Sequence, residues 1–212
     1  SPLDFLQVFE CEAVIDSVGN LDTEINLKYF NAIATTIDYT LKNLSETEQK
    51  EFFLNLFEND IPNIRIQKMT NEKKGDSLCI TFKVTSNDFV QKMDDTWVLK
   101  SQIVNLETLP VMKAKDRNFP IWLGGPQGFN VKTSWKFPDK YLPISKNNTI
   151  INKIENASAE YNLEINGNSA LVSGSTIYEG SVLSKDKYSE VIQYSKKLKE
   201  ITNQVIVLRR VK

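Results

Sequence analysis

Residues 184–210, SKDKYSEVIQYSKKLKEITNQVIVLRR, carry the reading on which the fold turns. Tyr188, Val191, Ile192, Ser195, Leu198 and Ile201 recur at three- and four-residue steps, so one face of a helix is apolar or small. Lys187, Glu190, Lys196, Lys197 and Lys199 take the other face. Ser184 supplies an N-cap hydroxyl, Asp186 a carboxylate in the first turn, and the late lysines complement the helix dipole. Val205 to Leu208 then reads as a strand buried on both faces and closed by Arg209 and Arg210. So apolar an end must be held in a sheet.

Working outward, the pattern of a helix braced against strands recurs. Phe5 to Ile15 alternates as a strand, turns at Val18-Gly19-Asn20, and returns through Leu21, Thr23, Ile25, Leu27 and Tyr29 as an antiparallel hairpin. Odd positions Ile33, Ile37, Tyr39 and Leu41 extend that return strand, with a break near Asn31. Ser45-Glu46-Thr47-Glu48 is a capping box opening a helix to about Asn59, whose Phe52, Phe53, Leu56 and Phe57 form a core-facing stripe, and Pro62 stops it. Ile64 to Met69 and Leu78 to Val84 make a second hairpin across Lys74-Gly75-Asp76. A strand follows over Trp97 to Leu106. Phe129 to Phe137 alternates, Tyr161 to Ile165 meets Ala170 to Val172 across Asn166-Gly167, and Thr176 to Leu183 supplies a further strand. The expected fold is α+β, mostly antiparallel sandwich-like sheets with two amphipathic helices, about 45–59 and 185–202. The polar, proline-bracketed stretch from Leu109 to Pro120 divides the chain into modules 1–116 and 117–212, or crosses between halves of one intertwined domain.

Composition narrows the chemistry. The 212 residues hold 26 Lys+Arg against 27 Asp+Glu, a formal charge of −1, which offers no global attraction to nucleic acid or an anionic membrane. Uncharged runs at 119–131 and 165–178 are too short and too interrupted for a bilayer helix. Ser1-Pro2-Leu3-Asp4 lacks the features of a signal peptide, and a chain opening without methionine reads as a mature or excised piece. Histidine is absent, which removes Ser-His-Asp and Cys-His triads, histidine-ligated zinc and imidazole acid–base steps. Cys11 and Cys79 permit one disulfide, but they sit on opposite strand faces, which favours two isolated thiols with one buried.

Four patterns could carry a site. Ser184 and Lys187 satisfy the S-x-x-K spacing of penicillin-recognising enzymes, but no S-D-N or K-T-G accompanies them and capping already explains the serine. Gly124 to Gly128 resembles a phosphate cradle but lacks a following G-K-[ST], and Pro126 removes a donor; a turn explains it. Asp94-Asp95 fits a solvated loop better than a calcium loop or an acid–base pair. The tryptophans Trp97, Trp122 and Trp135 could line a sugar or peptide groove. Trp135, on an alternating strand, suits the core, and Trp122, between Pro120 and Gly124, is the candidate surface contact. No catalytic residue, cofactor or metal is expected.

The D-S-V-G-N-L-D turn at Asp16 to Asp22, the helix opening at Ser45 to Lys50, the F-P-D-K-Y at Phe137 to Tyr141, and the Tyr188-centred helix followed by Val205 to Arg210 together resemble one bacterial region. It is the region C-terminal to the papain-like core of transglutaminase-like proteins, which carry β-rich domains of unknown function on both sides of that core. The likeness spans nearly the whole chain. The family's reaction belongs to a Cys-His-Asp triad in the central domain, and none of that triad maps here. The resemblance implies an extracytoplasmic protein of Bacteroidetes type, with this piece a non-catalytic accessory module whose partner is the adjacent transglutaminase-like domain. The alternative is a carbohydrate- or peptide-binding β module.

Overall fold

The computed structural model describes residues 5–104, 119–123, 125–180 and 182–211. β1 (Leu6–Ile15) and β2 (Leu21–Phe30) form the expected antiparallel hairpin, with Ile15 opposite Leu21. Asp16 clamps the turn, accepting at 2.9 Å from the amides of both Val18 and Asn20.

After Phe30 the structure departs from the reading. Residues 31–42 are not a strand but a helix, α1 (Asn31–Lys42), so the described residues contain three helices rather than two. Asn31 takes a left-handed φ of 54°, which stops β2 and turns the chain out of the sheet. Ile33, Ile37 and Leu41 lie four apart, a spacing compatible with either period. Helix wins because Ala34, Asp38 and Leu41 then share a buried face. Asp38 accepts from Lys42 at 2.8 Å and from Lys73 at 3.3 Å, binding α1 to its neighbouring strand.

α2 (Glu46–Phe57) begins with the capping box: Glu48 takes the Ser45 amide at 2.8 Å, and Ser45 Oγ accepts from the Glu48 amide. Its core stripe is narrower than expected. Phe53 and Phe57 are buried against Phe82, while Phe52 and Leu56 face solvent. β3 (Ile64–Lys74) and β4 (Ser77–Ser86) form the second hairpin, with Gly75 in the turn at φ 56°. A short ribbon, β5 (Gln91–Met93) and β6 (Thr96–Lys100), turns at Asp94-Asp95. β6 therefore ends before the strand anticipated to Leu106; Asn105, Leu106 and most of the proposed 109–120 crossover lie outside the described residues.

The remaining elements are β7 (Ile121–Trp122), β8 (Gln127–Lys136), β9 (Tyr141–Pro143), β10 (Asn148–Ile154), β11 (Ala157–Asn166), β12 (Ser169–Tyr178) and β13 (Val182–Leu183). A 3-10 turn (Lys185–Lys187) then leads into α3 (Tyr188–Thr202) and β14 (Val205–Arg210). β12 runs unbroken through 169–178, so the single strand expected over Thr176 to Leu183 is two, divided at Glu179-Gly180.

The fold is α+β, dominated by antiparallel strands. Eight strands form one sheet in the order β10-β11-β12-β8-β1-β2-β4-β3, four form a second in the order β5-β6-β14-β9, and β13 pairs with β7. Among the described residues, only the β1–β8 junction of the large sheet is parallel. Segments 1–116 and 117–212 share both larger sheets: β1 meets β8 in one, and β6 meets β14 in the other.

Strand register makes the large sheet one-sided. Phe82, Ile25, Cys11, Thr133, Val172 and Leu163 lie opposite one another in sequence across six strands, and every one is buried. Above this inner face pack the helices and the small sheet. Trp135 Nε1 donates to the Ser101 carbonyl at 2.8 Å, linking the inner face to the end of β6. β14 is not buried on both faces as expected: Ile206 and Leu208 are enclosed, but Val205 is exposed and Val207 half-buried. A central strand in a small sheet covered on one side needs only alternate apolar positions.

Candidate functional site

The outer face of the large sheet is the polar complement of the inner row. One register step away stand Thr81, Asn26, Glu10, Lys132, Ser173 and Asn162. Their side chains bond along the surface: Thr81 to Asn26 at 2.7 Å, Lys28 to Glu10 at 2.6 Å, and Thr149 to Asn162 at 2.8 Å. Glu10's hydrogen bond holds the Lys28 ammonium above the ordinary lysine range. Between β1, β8 and β12 this face dips into an open trough of about 380 Å³, bordered by Glu10, Asn130, Lys132, Glu160, Ser173 and Ser175. Sequence reading missed these residues as a group because cross-strand neighbours stand far apart in the chain. The available signal was the polar half of each alternating strand.

The three tryptophans part company. Trp135 is 2% exposed and Trp97 is 4% exposed, the latter stacked on Tyr141 with ring centroids 3.7 Å apart. Both are core residues, which removes them from any groove; register set them inward, Trp135 on the row of Ala13 and Ala170. Trp122 is the opposite case, at 73% exposed. It stands on β7 directly across from Val182 of β13, itself 64% exposed, and Phe119 nearby is also exposed. The other pair of that ribbon, Ile121 and Leu183, is buried. Alternation thus anchors the ribbon by one side and presents an indole and a valine on the other. Val182 had no sequence signal, since its role follows from a pairing sixty residues apart by chain position.

The Lys187 amide donates to the Ser184 carbonyl at 3.0 Å, but the two side chains are engaged elsewhere. Ser184 Oγ caps the 3-10 turn, accepting from the Asp186 amide, and Lys187 Nζ binds Glu190 at 3.0 Å. That bond raises the lysine pKa, the opposite of what a proton acceptor for serine requires. Asp94 and Asp95 make the two-residue turn between β5 and β6, with Asp94 at φ 51° and the Asp95 carbonyl accepting from the Arg210 amide. In the glycine stretch, Gln127 and Gly128 begin β8, and Gly125-Pro126 packs on Gly180, where an added side chain would run into Pro126; Gly124 lies outside the described residues.

Both cysteines are free thiols. Cys11 is enclosed in the inner row, and burial pushes its thiol up to about 12. Among the described residues no group of three or more cysteine, aspartate and glutamate side chains stands close enough to hold a metal ion. Among them also, no helix is long and apolar enough to cross a membrane. No family model, curated protein or solved structure matches this chain.

Proposed function

We propose that this chain is a non-catalytic accessory module that docks a transglutaminase-like domain of the same extracytoplasmic bacterial protein, with the Trp122–Val182 ribbon as its anchor. The reading of the partner comes from the resemblance carried by Asp16 to Asp22, Ser45 to Lys50, Phe137 to Tyr141 and the terminal helix and strand. The observation that carries the docking is the exposure of Trp122 beside Val182 on a ribbon whose alternate residues are buried. A tryptophan at the centre of an apolar patch is the kind of group that dominates protein interfaces once water is excluded around it.

A glycan-binding module would use the same indole as a stacking platform. It would also need polar side chains converging beside the ring to take sugar hydroxyls, whereas the residue paired with Trp122 is Val182. The protein partner is therefore the better fit. Titrating the chain with the transglutaminase-like domain of its full-length product, by calorimetry, tests the reading. Trp122→Ala should weaken association about tenfold or more, the loss of a hot-spot side chain. Robust hydrolase or transamidase turnover by the isolated chain would end it. So would a saturable shift of Trp122 fluorescence with glycans.

A further inference from the structure

Among the described residues the two larger sheets have four edge strands, and three of them are guarded. β3 carries Arg65, Lys68, Lys73 and Lys74 and a register shift between Ile66 and Lys68. β5 and β9 are three residues long, and β9 ends in Pro143. Such charges, bulges, short lengths and prolines are the usual means by which an edge is kept from pairing with another chain. β10 is the least guarded of the four. Over Asn148–Ile154 it holds a single lysine and no proline, and its register with β11 is unbroken. Among the described residues, the β10 backbone bonds to β11 alone. Ile151, at its centre, is 69% exposed.

We propose that this edge pairs antiparallel with the β10 edge of a second copy of the chain, about a two-fold axis through Ile151. The sequence of the strand selects that register. Centring on Ile151 pairs all seven residues and keeps each on its own face of the sheet. Centring two residues away, on Lys153, sets two ammonium groups directly opposite, and centring on a neighbouring residue leaves end residues unpaired. In the chosen register the two Ile151 side chains cover each other, and Thr149 lies opposite Lys153 of the second copy.

The flanking helix fits the same axis. Asn152 Nδ2 donates to the Tyr194 carbonyl at 2.9 Å, which sets the middle of α3 beside the middle of β10. Glu190 and Lys197 stand on either side of Gln193-Tyr194 and, with Asn152 and Lys153, border a cleft of about 360 Å³ between helix and strand. A two-fold axis that reverses β10 also reverses α3, bringing the Lys187–Glu190 pair of each copy towards the Lys197–Glu200 pair of the other. The surface is thus complementary to itself in backbone, apolar contact and charge. It uses no residue of the Trp122 ribbon.

Sedimentation equilibrium with full-chain variants tests the proposal. The wild type should be a reversible dimer. Ile151→Lys and Ile151→Glu each place like charges face to face on the axis and should weaken dimerisation about tenfold. Because Ile151 is exposed in the single chain, both variants should keep the wild-type far-ultraviolet circular dichroism. An equimolar mixture of the two variants should recover association as a heterodimer, since position 151 meets itself only on this axis. A monomeric wild type overturns the proposal, whether or not it binds a peptide strand. So does a dimer indifferent to Ile151→Lys, or a mixture that fails to recover.

Discussion

At the scale of single residues, burial decides what each reactive or aromatic group can do. Cys11 belongs to the inner row, and its thiol has an ordinary value of 9.0 that burial pushes up to about 12. An unfolded chain therefore releases this proton near pH 9 while the native chain holds it, so the contribution to stability is intact below pH 9 and is lost as pH rises towards 12. Tyr29, also raised to about 12 by burial, acts in the upper part of the same window. Urea midpoints should fall across that window, and Cys11→Ala should flatten part of the slope while costing about 1 kcal/mol at neutral pH for the lost packing. A thiol reagent should label Cys79 in the native protein and Cys11 only after unfolding. Iodide quenching should reach Trp122 and spare Trp97 and Trp135, so Trp122→Phe should abolish the quenchable fraction. Trp135→Phe removes the donor to the Ser101 carbonyl and should cost about 1–3 kcal/mol, read from denaturant unfolding.

At the scale of elements, local capping and one left-handed residue set the boundaries. Ser45→Ala removes the acceptor for the Glu48 amide and should destabilise α2 by about 1 kcal/mol, visible as a lower urea midpoint. Asn31→Val should cost more than Asn31→Gly, because a β-branched side chain resists φ 54° whereas glycine accepts it. α1 is tied to β3 through Asp38, whose carboxyl is held below its usual 3.8 by the hydrogen bond from Lys42 and then by Lys73. A depressed carboxylate stabilises the fold above its unfolded pKa and loses that effect as pH falls through the folded value. Asp38→Asn should therefore flatten the acid limb of the stability curve below about pH 4.

At the scale of the whole molecule, the interleaving of the sheets governs cooperativity. β1 of the first half is flanked by β8 of the second, and β14 closes a sheet begun by β6. A fragment ending before residue 119 would leave β1 without one neighbour and β6 without its central partner, exposing an inner face built of Phe9, Cys11 and Ala13. Thermal unfolding of the full chain should give one transition, coincident in near- and far-ultraviolet circular dichroism, and residues 1–116 expressed alone should fail to fold.

The chain by itself determined the local elements. Alternation marked β1, β2, β4, β8 and β11, the capping box marked α2, and three- and four-residue steps marked α3, because these signals depend on residues within a few positions of one another. Where a spacing suited two periods, as with Ile33, Ile37 and Leu41, local pattern failed and the buried face of α1 settled the outcome. Only the tertiary structure could show that Trp97 turns inward, that Val182 stands beside Trp122, and that β10 is an edge. Each depends on strand order and on pairings between distant residues, which hydrogen-bond register and packing decide and no short stretch of sequence encodes.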